Sequence, residues 1–529
     1  MKLLSNVRFP PHGRHTLRRL RSHRSLLSCI VTVAMAMLFA VPARCVDSSQ
    51  PRPNILFIAV DDLRPTIGCY GDSTALTPNL DRLASRGTTF TRAYCQQAVC
   101  SPSRLSLLTG RRPDTTRVWD LGTHFRQALP DVVTLPQFFR QAGYHTQSIG
   151  KIFHGNGKPA KDDISWSESP IHDVVRDPKL RYASQQNLSG AGLKRDSFES
   201  ADVPDDAYAD GLACRAALKY LRQRSAREEP FFLAVGFRKP HLPFCAPKRY
   251  WDLYDAPSIP MPKHPQHPES APELATRSWR ELEGYRDVPE DGHLTQSHVR
   301  RLRHGYFACV SYIDALIGRV LNELRTQSLH ENTVVVVWGD HGFHLGEQGL
   351  WTKANNYELA TRVPLIIACP SGANAQRSPD TPTPSLFRQD SVCDRLVELV
   401  DLYPTLVDVC GFPIPSGLEG TNMVPLLKDP SLAWKNAAFS QFPRATTGHR
   451  HRRHGDIMGY AVRTERYRYV EWQDWTTKTV IASELYDHDV DAEEMTNIAN
   501  APKYADVQKQ LSETLTAGWK AARPSPTSD

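Results

Sequence analysis

Several short stretches of this chain place ionisable side chains where chemistry could be done. In AVCSPSRLSLLTGRRPDTTR, Cys100, Pro102 and Arg104 form a Cys-x-Pro-x-Arg pattern at what reads as the start of a helix. Pro102 falls in the first turn and Arg104 one turn along on the same side. Free N–H groups and the helix dipole favour an anion at such a terminus. Asp61-Asp62 closes the apolar run PNILFIAV, and Asp340-His341 closes TVVVVWG. Three carboxylates brought together repel one another unless a cation lies among them, and a hard divalent ion, Ca²⁺ or Mg²⁺, resolves the conflict. Other strand-like runs end in cations: YHTQSIGKIFH in Lys151 and His154, FFLAVGFRKPH in Lys239 and His241, while Lys353 follows in LWTKANN. A metal ringed by basic groups suits a small, highly charged anion held while one of its bonds breaks. Sulfur is a poor match for such hard surroundings, so an oxygen nucleophile at position 100 would fit better than a thiolate.

Those residues need elements to hold them. Short β-branched runs alternate with helix-period segments over the first 410 residues, the pattern of an α/β domain with a largely parallel sheet. In such sheets function gathers at the carboxyl ends of the strands. The four successive valines at 334–337 show no polar alternation and predict burial on both faces. Thr77-Pro78 predicts the start of a helix that stops near Gly87, and Thr134 with Pro136 another that stops at Gly143. Apolar residues from Tyr306 to Leu324 recur at helical spacing and predict a core-facing helix. Stretches 158–200, 262–295 and 370–390 read as long surface insertions of the kind that shape a substrate mouth. After about residue 430 the pattern changes to hairpin-like strands and an amphipathic helix from about Tyr504, which predicts a smaller α+β subdomain. The expected organisation is thus a catalytic domain over 51–425 and a C-terminal subdomain over 430–529.

Seven basic and no acidic residues lie in positions 1–43, ahead of the apolar run LLSCIVTVAMAMLFAV. The run is shorter than the roughly 20 residues a spanning helix needs, so an export signal cleaved after Ala43 is expected, with a retained anchor as the rival and no stable membrane span. The expected location is exported: periplasmic, secreted or lysosome-like according to the host. The formal charge of +7 resides in that segment, which removes the case for nucleic acid. The basic run at 449–454 could meet an anionic substrate or be a solvated loop. Ten cysteines follow the signal without zinc-type spacing, in a chain that could form disulfides. The triplet Asn187-Leu188-Ser189 is an acceptor for N-glycan in a glycosylating host.

Cys-Ser-Pro-Ser-Arg followed by Leu-Thr-Gly resembles the signature of the sulfatases, in which the cysteine is oxidised to formylglycine. The segments GKIFH, KPHLPF, DHGFHLGEQGLWTK, SQFPR and ELYDHDVD are similar, in order and spacing, to the iduronate-2-sulfatase branch of that family. The resemblance implies an alkaline-phosphatase-like fold, a large mixed, mostly parallel sheet flanked by helices with a smaller C-terminal α+β subdomain. It implies maturation by a formylglycine-generating enzyme and hydrolysis of a sulfate ester on a sulfated saccharide, such as a 2-O-sulfated uronic acid. By the same resemblance Asp61, Asp62, Asp340, His341 and the formylglycine at Cys100 bind Ca²⁺, with Mg²⁺ less favoured. Arg104 steadies the formylglycine, and Lys151, His154, His241 and Lys353 surround the sulfate. His241 would protonate the leaving group and His154 would take the proton of the second hydroxyl. The uronate carboxylate would meet Arg463, Arg466 and Arg468, unless these pair with acids on neighbouring strands. Phosphonate or phosphate monoester hydrolysis on the same fold, or sulfated-glycan binding by a protein whose Cys100 is unmodified, are the alternatives.

Overall fold

The computed structural model describes residues 52–155, 162–171, 178–189, 194–277, 280–370, 387–445 and 455–524. The expected signal at 1–43, the basic run at 449–454 and most of 370–390 lie outside the described residues.

The principal sheet has seven strands: Asn54–Val60 (β1), Thr88–Phe90 (β2), His145–Gly150 (β3), Phe231–Phe237 (β4), Thr333–Gly339 (β5), Leu365–Ala368 (β6) and Ser391–Cys393 (β7). Their order is β7-β2-β6-β5-β1-β4-β3. β1 runs parallel to β4 and β5, and β3 parallel to β4. β6 is antiparallel to both of its neighbours, so the sheet is mixed but mostly parallel.

The absence of polar alternation has a direct cause. Leu56, Ile58 and Val60 face one apolar cluster while Ile55, Phe57 and Ala59 face another, and the valines of β5 divide in the same way. A strand buried on both sides cannot tolerate alternating polarity. On the first face pack helices Pro78–Ala84 (α1), Ala209–Arg224 (α4) and Gln296–Thr326 (α5); on the second lie Cys100–Thr109 (α2), Leu135–Gln141 (α3) and Leu402–Val409 (α6). α5 extends well beyond the span that the apolar spacing marks. Its first turns are polar and capped by Thr295, whose hydroxyl accepts from the His298 N–H. Thr134 caps α3 in a reciprocal box with Gln137, whereas the Thr77 hydroxyl accepts from the Gly68 N–H instead of capping α1.

Four antiparallel strands, Ala438–Arg444 (β8), Ile457–Arg463 (β9), Tyr467–Asp474 (β10) and Val480–Asp487 (β11), make the C-terminal sheet. One face brings Ile457, Ala461, Val470 and Trp472 against Leu350 and Tyr357 of the larger part. The other brings Val462, Tyr469 and Leu485 against helix Ala505–Ala521 (α7). No helix among the described residues is long and apolar enough to cross a membrane.

Candidate active site

Strand register builds the site. Val60 lies opposite both Gly339 and Phe237, and Gly236 lies opposite Gly150. The residues that follow these positions, Asp61, Asp340, Arg238 and Lys151, therefore leave the sheet at one level. Two glycines permit the crossing at its rim: Gly150 has φ +75°, and a Cβ there would lie 2.0 Å from the Gly236 carbonyl oxygen. Asp62 also takes a left-handed φ, 61°, and its N–H donates to Asp340 Oδ1 at 3.1 Å. Strain of this kind persists where the surroundings over-determine the conformation.

Cys100 opens α2, and every residue of that helix is buried. Its thiol donates to Asp61 Oδ1 at 3.3 Å and lies 3.3 Å from His341 Nε2. Burial, reinforced by Asp61, pushes the thiol well above its usual range despite the nearby lysines, which disfavours a thiolate nucleophile. Arg104 is fully buried. Its Nε donates to Asp340 Oδ2 at 2.7 Å, its Nη1 to the carbonyls of Lys151 and Ile152, and its Nη2 lies 3.6 Å from Asp61 Oδ1. The Ser103 hydroxyl donates to the Asp340 carbonyl. One turn of helix thus ties the Cys100 segment to three strand ends.

Donor atoms of Asp61, Cys100, Asp340 and His341 all lie within 4.8 Å of one another, and all four residues are buried. His341 Nδ1 faces the Gly342 carbonyl at 3.0 Å, an acceptor, so Nδ1 carries the proton. The bare Nε2 then points at carboxylates, 3.4 Å from Asp62 Oδ1 and 3.7 Å from Asp340 Oδ1. A lone pair facing carboxylate oxygens fits a cation between them, and the oxygen-rich donor set fits a hard one.

The cations form a second layer. Lys151 pairs with Asp61, and Lys353 Nζ lies 3.1 and 3.0 Å from the two oxygens of Asp62. Burial raises the Asp61 carboxyl, but Lys151, His241 and Arg104 outweigh it and hold the group well below its usual range. Asp62 is pushed up by burial, opposed by Lys353 and reinforced by Asp61. Lys353 is raised against the pull of burial by Asp62 and Glu281. His154 is held to about 2 by burial and Lys151, and neither ring nitrogen has a hydrogen-bond partner among the described residues. His241 is lowered to about 3 by burial and Lys353.

Not every strand-end cation joins this cluster. Lys239 turns back, its Nζ donating to the carbonyls of His241 and Pro243 at 2.8 and 2.6 Å, and so braces the loop that presents His241. The expected carboxylate-binding role of the three arginines is also corrected, because each is already paired. Arg463 Nε lies 3.1 Å from Glu358, Arg466 bonds Asp487 at 2.6 and 2.7 Å, and Arg468 bonds Glu494. Asn187 is buried and its amide donates to Glu199 at 3.0 Å, leaving no accessible glycan acceptor. The nine described cysteines are all free thiols. Glu281 was not visible from the sequence. It lies in an insertion read as surface, yet its carboxylate reaches Lys353 at 2.9 Å and His241 at 3.2 Å. No periodicity or motif marks it.

The chain matches the Sulfatase family model over residues 53–412, and the model for the C-terminal part of N-sulphoglucosamine sulphohydrolase over 346–520. It is 35% identical to iduronate 2-sulfatase of Mus musculus over 522 residues, covering 88% of this chain and 94% of the relative. Among solved structures it is similar to a phosphonate monoester hydrolase from Silicibacter pomeroyi, with TM-score 0.70, 22% identity and coverage of 90% and 97% of the two chains. It is also similar to a protein solved with its substrate D-glucosamine-2-N,6-O-disulfate, with TM-score 0.67, 23% identity and coverage of 90% and 100%.

Proposed function

The chain belongs to the sulfatase family, and from that premise we propose that it removes the 2-O-sulfate of a uronic acid in a sulfated polysaccharide. The observation that carries the sulfate-ester reading is the buried gathering of Cys100 between Asp61, Asp340 and His341, faced by Lys151, His154, His241 and Lys353. Kinship with iduronate 2-sulfatase at 35% identity over most of both chains supports the uronate and the 2-O position. The proposal includes export directed by residues 1–43 and oxidation of Cys100 by a formylglycine-generating enzyme.

Asp61, Asp62, residue 100, Asp340 and His341 would hold a divalent ion, Ca²⁺ by the hardness of the donors, which would draw charge from a sulfate oxygen. A hydrated formylglycine would offer one hydroxyl to sulfur and a second through which sulfate is later released. Arg104 orients Asp340 and Asp61 through its fixed fork of donors, a task the flexible ammonium of lysine performs poorly. Lys151, Lys353 and His154 face the volume where sulfate oxygens gather charge, and in a buried site such groups act with little screening. His241 Nδ1 lies 2.6 Å from the Leu242 carbonyl, so its proton is fixed there and Nε2 is left to serve the leaving oxygen.

A panel comprising a 2-O-sulfated uronate, its carboxyl-reduced analogue, a 6-O-sulfated hexosamine, and phosphate and phosphonate monoesters tests the reading. The 2-O-sulfated uronate is expected to lead the panel in kcat/KM, an expectation that rests on kinship with iduronate 2-sulfatase and not on Arg463, Arg466 or Arg468, which are paired with acids. Equal rates on the uronate and its reduced analogue would remove the uronate assignment; faster phosphonate turnover would remove the sulfate assignment. Mass spectrometry of the peptide bearing residue 100 should show the aldehyde. A free thiol after co-expression with the maturation enzyme, with glycan binding but no turnover, would favour a noncatalytic lectin-like role.

A further inference from the structure

Glu281 is a carboxylate where the proposed reaction needs none. Its segment reaches the site from outside the sheet: Arg280 takes a left-handed φ of 58°, and Glu281 stands at the head of a short 3₁₀ turn, Leu282–Gly284. One carboxylate oxygen lies 2.9 Å from Lys353 Nζ and the other 3.2 Å from His241 Nε2. Lys353 is held on its far side by Asp62, so its ammonium is fixed between two carboxylates. His241 is held on its far side by the Leu242 carbonyl, so its ring is fixed between a main-chain acceptor and Glu281.

That arrangement constrains a proton. With Nδ1–H committed to Leu242, a neutral imidazole would turn a bare Nε2 lone pair toward a carboxylate oxygen 3.2 Å away, a repulsive contact. A proton between Nε2 and Glu281 removes the repulsion. Burial and Lys353 outweigh Glu281 and keep His241 down to about 3, so the proton enters between Nε2 and Glu281 together with the anionic ester, whose charge offsets that of Lys353.

We propose that Glu281 is a positioning residue, resting on the sulfatase reading above: it aligns Lys353 and holds His241 with its Nε2 proton ready for the leaving oxygen. As the bond from sulfur to the leaving oxygen breaks, its electron pair passes to that oxygen; the hydroxyl at residue 100 gives its proton to Asp61, the carboxylate to which the Cys100 thiol donates, and becomes bonded to sulfur, and the Nε2 proton moves to the departing alkoxide. The imidazole is left neutral, and the charge of Lys353 remains on the transferred sulfate. Glu281 touches neither sulfur nor the leaving group. It acts through Lys353 and His241.

The step matters only when the leaving group is a poor one. A sugar alkoxide needs its proton, whereas a nitrophenolate leaves without it. Glu281→Gln keeps the size of the side chain and removes its charge. On an alkyl or sugar sulfate its kcat should fall about a hundredfold, the lower range for loss of general acid assistance. On p-nitrophenyl sulfate the fall should be less than about tenfold, with both rates counted per formylglycine in protein shown to be folded at the assay temperature. Equal losses on the two substrates would overturn the proposal, as would parental activity on both. Faster turnover or a lower KM for both would overturn it in favour of Glu281 as a competing anion in the sulfate position. A parent enzyme carrying formylglycine that hydrolyses neither ester would overturn the sulfatase reading itself, and the proposal with it.

Discussion

Replacing Arg104 by lysine keeps the charge and removes the geometry. The arginine spans Asp340 at 2.7 Å, the carbonyls of Lys151 and Ile152, and Asp61 at 3.6 Å, with no exposed surface. A lysine ammonium can reach the carboxylate or the carbonyls but not both. One or two bonds to a charged donor are then lost, each worth about 1.5–3 kcal/mol, so the variant should be less stable by about 1.5–6 kcal/mol. The exposed Lys248–Asp252 pair, one helical turn apart, provides the contrast at about 0.3–0.5 kcal/mol. Asp340 would also lose its orientation, and kcat should fall by at least about a hundredfold. Urea denaturation of Arg104→Lys and Lys248→Ala beside the parent measures the first effect, and turnover per formylglycine, counted by peptide mass, measures the second. The count matters because the arginine is also part of the motif that the maturation enzyme reads. An Arg104→Lys protein with the parental denaturation midpoint and parental turnover per formylglycine would refute the argument that the guanidinium fork organises the site.

Chelation should abolish turnover and added Ca²⁺ should restore it, while Asp61→Asn and Asp340→Asn should bind less metal by elemental analysis; full activity in metal-free protein would refute the assignment. Burial raises the Glu358 carboxyl but Arg463 and His488 bring it down to about 2, from an ordinary 4.5. A carboxyl lowered on folding stabilises fully above its unfolded value, and that contribution is lost as the pH falls from about 4.5 through 2. The denaturation midpoint should therefore drop across that window, and Glu358→Gln, less stable at neutral pH because Arg463 loses its partner, should drop less steeply there. Gly150→Ala would place a methyl 2.0 Å from the Gly236 carbonyl at a φ of +75°. Backbone strain of about 1–3 kcal/mol before any clash predicts a marked fall in soluble yield and a lower thermal midpoint.

The sequence by itself determined the elements and much of the chemistry. Runs such as NILFIAV and TVVVVWG become strands because β-branched and aromatic side chains suit a sheet buried on both faces, and the residues that end them must lie at its carboxyl edge. The Cys100, Pro102 and Arg104 spacing gave the start and orientation of a helix, which is a local property. Tertiary structure alone decided partners. Asp62 meets Asp340 across 278 residues because the strand register sets Val60 opposite Gly339, Arg466 and Arg468 are committed to acids that the folded sheet and its following turn bring near, and Arg463 to Glu358 of the larger part, 105 residues away in sequence. Glu281 shows the limit most clearly. A polar residue in an insertion carries no periodic signal, and whether water or Lys353 and His241 meet its charge depends on where the chain folds back, not on its neighbours in sequence.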